Sequence, residues 1–289
     1  MQKKPRKLHG GDIYRHPDVI DFSVNTNPLG TPESVKRAVQ ESVAKIEHYP
    51  DVRCEALREA ISRFEQVNME EILCGNGAAE LFFAAVQAVW PQKALVIAPS
   101  FSEYEEALRS VGAEVEYYYL CEEDNFQIRE DYVDKLSEEI DMIFLCNPNN
   151  PTGQTIDRDM LIKILDRCKK QNIVVILDEC FLEFLDEPNR YEMSDLRGEY
   201  PNLLIIKAFT KIFSMPGLRL GYAISSNQDI LEEMSRMEPE AFKMKGFKAN
   251  WSVEPIDLKT IYLERLEHID QFGFGEYARF MTFRLEETE

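Results

Sequence analysis

The sequence predicts an α/β fold, a mostly parallel sheet with helices on both faces. Two observations predict it. Short apolar runs of strand length alternate with helix-length stretches from residue 72 to residue 206. Four of those runs, ending at Cys74, Cys146, Leu177 and Ile206, are followed at once by polar or turn-forming residues. In an open sheet of this kind ligands sit beyond the carboxyl ends of the strands, so these four turns converge there. The chain has 289 residues and is 44% apolar, enough for one large core and a smaller piece.

Taken in order, residues 1–30 read as an irregular arm, with turn signals at Gly10-Gly11 and at residues 27–30. Within it, residues 21–25 fit a short strand. Thr31 is placed to cap a helix with Pro32 at its first position. Val35, Ala38, Val39, Val43 and Ile46 then keep roughly helical spacing. A second helix is expected from Cys54 to Phe64. Strands are predicted at residues 72–74, 94–98, 113–120, 141–146, 173–177 and 203–206. Between them, helices are predicted after residue 78 to Val89, at 102–111, at 129–139 and at 157–170. Near Met237 the strand–helix rhythm stops; residues 258–269 fit a helix and 277–285 a strand. The expected division is therefore an arm, 1–30, a large domain, 31–236, and a shortened or atypical C-terminal segment, 237–289.

A net charge of −19 argues against nucleic acid or an anionic membrane as partner. A small anionic substrate would need a local basic pocket. No apolar run approaches the roughly 18 residues of a membrane helix, and the basic N-terminus lacks the apolar core of a signal peptide. The six cysteines form no CxxC pair, which fits reduced core thiols of a cytoplasmic protein. His9, His16, His48 and His268 have no metal-ligand spacing, so no metal is expected.

The chemistry is expected at the strand ends. Lys211 lies just past the run 203–206, and Arg219 follows a Pro216-Gly217 turn. A lysine at a strand end can be partly desolvated, which frees its amine to attack a carbonyl; an arginine beside it can hold an anion. Gly75-Asn76-Gly77-Ala78 before a helix offers backbone N–H groups to a phosphate. Asp178 closes an apolar strand, where a carboxylate needs a cation or donors. Asn150 in the turn 147–153 offers an amide, and Tyr104 offers a ring face. Each has an ordinary structural reading taken alone: turn chemistry, a salt bridge, a core tyrosine. One ligand uses all of them together. Pyridoxal 5′-phosphate brings a phosphate for Gly77, Ala78, Ala79 and Arg219, an aldehyde for Lys211, a phenolic oxygen for Asn150, a ring nitrogen for Asp178 and a flat face for Tyr104.

The chain resembles the fold-type I pyridoxal-phosphate enzymes of the class I/II aminotransferase group, within them the histidinol-phosphate aminotransferase and threonine-phosphate decarboxylase branch. The motifs that carry the resemblance are HGGDIY (9–14), DFSVNTNPLG (21–30), GNGAAE (75–80), PSFSEY (99–104), NPNNPTG (147–153), DECFLEF (178–184) and FTKIFSMPGLRLGY (209–222). The resemblance implies a large pyridoxal-phosphate domain with Lys211 as the Schiff-base lysine and Asp178 on the ring nitrogen. It implies Asn150 on the phenolic oxygen, Tyr104 against the ring, and Gly77, Ala78 and Arg219 on the phosphate. Tyr49 would reach the cofactor of a second subunit, so a homodimer is expected. His9, Gly10 and Asn27 would face the substrate.

Two departures bear on the activity. Phe181 stands where aminotransferases of the branch carry a tyrosine, and Ala208 where they carry a phosphate-binding serine. The segment after Arg236 is shorter than the family's small domain, which supplies an arginine for the substrate carboxylate; Arg279 and Arg284 are the candidates here. With the N-terminal motifs, Phe181 favours decarboxylation of L-threonine O-3-phosphate. Transamination of histidinol phosphate or an aromatic amino acid is the alternative, and a cofactor-binding protein without turnover is the third reading.

Overall fold

The structure is a computed structural model that describes residues 10–11, 13–15, 18, 20–45, 47 and 51–244. Seven strands form one sheet: β1 (Ile72–Gly75), β2 (Lys93–Ala98), β3 (Glu114–Tyr119), β4 (Met142–Cys146), β5 (Val174–Asp178), β6 (Leu203–Ala208) and β7 (Gly221–Ile224). Their order is β1-β7-β6-β5-β4-β2-β3. The run from β6 to β3 is parallel, and β7 is antiparallel to both β6 and β1. The expected mostly parallel sheet is therefore present.

The sequence pattern follows from burial. The central strands β4 and β6 are buried along their whole length, so they read as unbroken apolar runs. The edge strand β3 alternates exposed and partly buried residues and carries glutamates. Alternation divides the core in two. Phe144, Ile176, Leu204 and Ile206 pack toward α3 (Ala78–Val89), α4 (Ser102–Ser110) and α8 (Gln228–Met244). Ile143, Leu145, Val175, Leu177 and Ile205 face the opposite side with α2 (Glu55–Glu65) and α6 (Arg158–Gln171). Asp178 and Glu179 fall on opposite faces by the same rule.

Several boundaries differ from expectation. Residues 21–25 form no strand, because Asp21 Oδ1 takes both the N–H and the hydroxyl of Ser23 and closes a local turn. Helix α1 spans Glu33–Ser42 with Pro32 as its cap, since the Thr31 hydroxyl donates to the Ser214 carbonyl at 2.5 Å instead. The stretch 129–139 holds only one α-turn, α5 (Asp131–Asp134), followed by tighter i→i+3 turns. Tyr132, Leu136 and Ile140 are all buried, and their four-residue spacing imitates a longer helix. Strand β7 was not predicted; its four residues follow Arg219 and Leu220 without a turn signal. The composition shift near Met237 falls inside α8. The predicted elements at 258–269 and 277–285 lie outside the described residues. All six cysteines are free thiols and five are buried. Among the described residues, no helix is long and apolar enough to cross a membrane.

Candidate active site

Strand β5 delivers Asp178 to the carboxyl edge of the sheet with 4% of its surface exposed. Both carboxylate oxygens are engaged. The Tyr104 hydroxyl donates to Oδ2 at 2.5 Å and the Cys180 N–H donates to Oδ1 at 2.9 Å. Burial pushes the carboxyl above its usual range, while the Cys180 and Tyr104 hydrogen bonds and the charge of Lys211 pull it back. A carboxylate so placed seeks one more positive or N–H partner at its open side.

Lys211 comes from α7 (Phe209–Ile212), a single turn that follows β6 directly. The residue is half-buried, and its Nζ stands 5.6 Å from the centroid of the Phe181 ring. Phe181 itself caps the short 3₁₀ turn Leu182–Phe184 just after Asp178. Lysine, phenylalanine and aspartate thus meet at the ends of two paired strands.

The anion cradle is built on α3. Gly77 is its N-cap with φ +84° and offers no side chain to the first N–H groups. Glu80 turns back to Asn76, accepting from its N–H at 2.5 Å and its Nδ2 at 2.9 Å. Arg219 faces Gly77 so closely that a Cβ there would stand 2.7 Å from Nη2. Gly221 lets β7 approach the same turn, since a Cβ on it would meet the Ala78 nitrogen at 2.9 Å. Burial lowers the Arg219 pKa, with Glu80 and Glu103 acting against that shift. A guanidinium held against the positive end of a helix calls for an anion between them.

Asn147 and Asn149 are spent on the turn 147–153. Asn147 Oδ1 accepts from the Ile156 N–H at 2.8 Å, and Asn149 Nδ2 donates to the Pro99 carbonyl at 3.1 Å. Asn150 is half-buried, and its Oδ1 accepts from Asn25 Nδ2 at 3.4 Å. Ala78 and Ala79 open α3, which starts one residue earlier than expected.

Two expected roles are corrected. Tyr104 offers no face to a ligand: it is fully buried, stacked on Phe144 at 4.9 Å with Phe82 edge-on at 5.0 Å, and its hydroxyl serves Asp178. The other ring of that motif, Phe101, is half-buried at the N-cap of α4 and 5.7 Å from the Tyr104 ring. Sequence reading missed it because both rings lie in PSFSEY; helix phase separates them, since the fourth residue of a helix start turns inward while the cap stays outside. Asn27, expected to face the substrate, is 9% exposed and turned to backbone groups. Its N–H donates to the Lys211 carbonyl at 3.0 Å, its Nδ2 to the Ile212 carbonyl at 2.9 Å, and its Oδ1 accepts from Leu29 at 3.0 Å. It ties the arm to the lysine-bearing turn. Gly10 packs on the Ser23 backbone, and the neighbouring Gly11 N–H donates to Ser23 Oγ at 2.8 Å. His9, Tyr49, Arg279 and Arg284 lie outside the described residues.

Pyridoxal phosphate fits what is present. Its phosphate answers the opposed Arg219 and α3 terminus, its basic ring nitrogen answers the buried Asp178, and its aldehyde answers Lys211.

Comparison with known proteins agrees with this fold. The family described as aminotransferase class I and II matches residues 17–242. The threonine-phosphate decarboxylase of Salmonella typhimurium is 38% identical over 238 residues, which cover 80% of this chain and 65% of that protein. The chain therefore spans less than two thirds of that relative's length. The crystal structure of histidinol-phosphate aminotransferase from Clostridium acetobutylicum superposes with a TM-score of 0.72 at 30% identity, covering 86% of this chain and 68% of the other. That of L-threonine-O-3-phosphate decarboxylase from Porphyromonas gingivalis gives 0.68 at 25% identity, covering 88% and 71%.

Replacing Tyr104 with phenylalanine should destabilise the protein by about 1.5–3 kcal/mol, the cost of a lost hydrogen bond to a buried charge. The loss should grow as pH rises through the Asp178 titration, because the hydroxyl favours the ionised carboxylate. Urea unfolding at several pH values measures it; a pH-independent loss of under about 0.5 kcal/mol would contradict the assignment. Gly77→Ala should weaken pyridoxal phosphate binding about tenfold or more, since the new methyl displaces Arg219 and the left-handed backbone resists it. Fluorescence titration tests this, and an unchanged Kd would remove Gly77 from the cradle.

Proposed function

This chain belongs to the aminotransferase class I and II family, and on that premise we propose that it binds pyridoxal phosphate at Lys211 and decarboxylates L-threonine O-3-phosphate. The observation that carries the cofactor reading is the pairing of a buried Asp178 with Lys211 beside a cradle in which Arg219 faces an uncapped helix end. When bound, the cofactor supplies an aldehyde that takes up an amine and a ring that withdraws an electron pair from the substrate's Cα. Asp178 keeps a negative charge at the ring nitrogen, and Tyr104 and Cys180 hold that carboxylate in place. Arg219 and the first N–H groups of α3 hold the phosphate and fix the orientation. Lys211 Nζ is the amine that carries the proton to and from the reacting carbon. Asn150 provides an amide to the phenolic oxygen.

Phe181 supports decarboxylation over transamination. Its ring lies against Lys211 and brings no hydroxyl there, so Lys211 Nζ is left without a phenol as partner on that side. Loss of CO₂ needs one proton delivered to Cα, and transamination needs one proton moved from Cα to a cofactor carbon; one amine can serve either, so the preference rests on Phe181 and the N-terminal motifs.

In the same reading, residues 31–236 are the cofactor domain, with Arg279 and Arg284 in the segment that follows as candidates for the substrate carboxylate. Tyr49 reaches a second subunit's cofactor in a homodimer, and His9 faces the substrate. Six free thiols support a reducing, cytoplasmic setting.

Purified protein loaded with pyridoxal phosphate should release CO₂ from L-threonine O-3-phosphate and leave the phosphorylated amine. Lys211→Ala should slow this about a thousandfold or more. A keto product and the amino form of the cofactor would instead establish transamination, to be repeated with histidinol phosphate. Neither product, from a protein that binds the cofactor, would mean binding without turnover.

A further inference from the structure

A second charged cluster lies on the other face of the sheet, behind the site. Lys207, on β6, is 3% exposed. Its Nζ donates to both oxygens of Glu65 on α2, at 3.0 and 2.9 Å, and to Glu192 Oε1 at 2.9 Å. Glu179 Oε2 stands 3.7 Å away and Glu183 Oε1 4.0 Å away. The Tyr222 hydroxyl on β7 donates to Glu65 Oε1. One ammonium therefore faces four carboxylates, and burial of three unmatched negative charges is costly. The cluster relieves this by holding a proton.

Geometry says where. Glu179 is fully buried, and neither of its oxygens has a hydrogen-bond partner. Glu65 and Glu192 each accept from Lys207. Burial pushes the Glu179 carboxyl up to about 8, against the pull of Lys207 and with Glu192, Glu65 and Glu183 adding to the rise. Burial also opposes the Lys207 charge, but the four carboxylates outweigh it and keep its pKa well above the ordinary value.

The cluster holds both working segments. Glu179 follows Asp178, and its N–H donates to the Ile206 carbonyl at 2.9 Å. Phe181, against the Lys211 amine, lies between Glu179 and Glu183. Lys207 stands four positions before Lys211, near the end of β6. We propose that Lys207 is a positioning residue for the cofactor site, holding the Asp178–Glu183 turn in register with the Lys211 turn, and that this hold depends on the proton carried by Glu179. Once Glu179 ionises, its charge has Lys207 as its nearest cation. Drawing Nζ toward it weakens the bonds to Glu65 and Glu192 and shifts the turn that carries Asp178 and Phe181. The inference rests on the pyridoxal phosphate reading.

Glu179→Gln keeps the shape of the protonated side chain and cannot ionise. Pyridoxal phosphate Kd should be measured by fluorescence for the wild type and this variant between pH 6.5 and pH 9. At pH 6.5 the two should agree within about twofold. At pH 9 the wild type should bind about tenfold more weakly than the variant, because a group titrating near 8 has lost its proton in about ten of eleven molecules. The titration of Asp178 affects both proteins and cancels in the ratio. Lys207→Met, where circular dichroism shows it folded, should bind about tenfold more weakly at every pH; where it does not fold, the glutamine variant decides. A ratio that stays at one from pH 6.5 to pH 9 would overturn the proposal. If the wild type takes up no pyridoxal phosphate at either pH, it is the cofactor reading that fails.

Discussion

A carboxylate without water must be answered by its surroundings, and Asp178 is that carboxylate. It sits at the end of a strand whose other residues are apolar and, but for Val174, buried. Burial raises its pKa, and two hydrogen bonds and the charge of Lys211 pull it part of the way back. The parallel sheet makes this meeting possible, because β5 and β6 end at the same edge and deliver aspartate and lysine side by side. A ligand that brings a protonated ring nitrogen completes the arrangement.

Alternation along a strand gives the same edge a second function. Asp178 turns toward α3 and α4, where Tyr104 holds it; Glu179 turns toward α2, where Lys207 and Glu65 lie. Adjacent residues thus serve the front and the back of one site. The rear cluster carries charge that the front cannot show, and it shares the same two strand ends. Arg219 is placed by a related economy of chain: β7 runs back against β6, and its glycine start brings the arginine against the bare terminus of α3.

Much of this was legible in the sequence. Unbroken apolar runs announced the central strands because those strands are covered on both faces. The places of Lys211, Asp178, Arg219 and Gly77 in the fold were legible because each stands at a strand end or turn where an apolar pattern stops. What failed were distinctions inside a motif. Tyr104 and Phe101 are three residues apart, and only the start of α4 decides which faces the core. Asn27 was legible as a polar residue in a turn, yet its partners, the carbonyls of Lys211 and Ile212, are nearly 190 positions away. Lys207 carried a signal that went unread: a lysine inside an apolar strand run needs buried partners, but nothing in local spacing reveals that Glu65, Glu179, Glu183 and Glu192 converge on it.

The central claim is that the amine at the end of β6 carries the cofactor. Reducing the pyridoxal phosphate-loaded protein with borohydride and mapping the modified peptide by mass spectrometry tests it most directly. The account predicts a single pyridoxyl group on Lys211, formed with loss of the visible absorbance. A label on another lysine, or a protein that binds the cofactor and yields no labelled peptide, would contradict it.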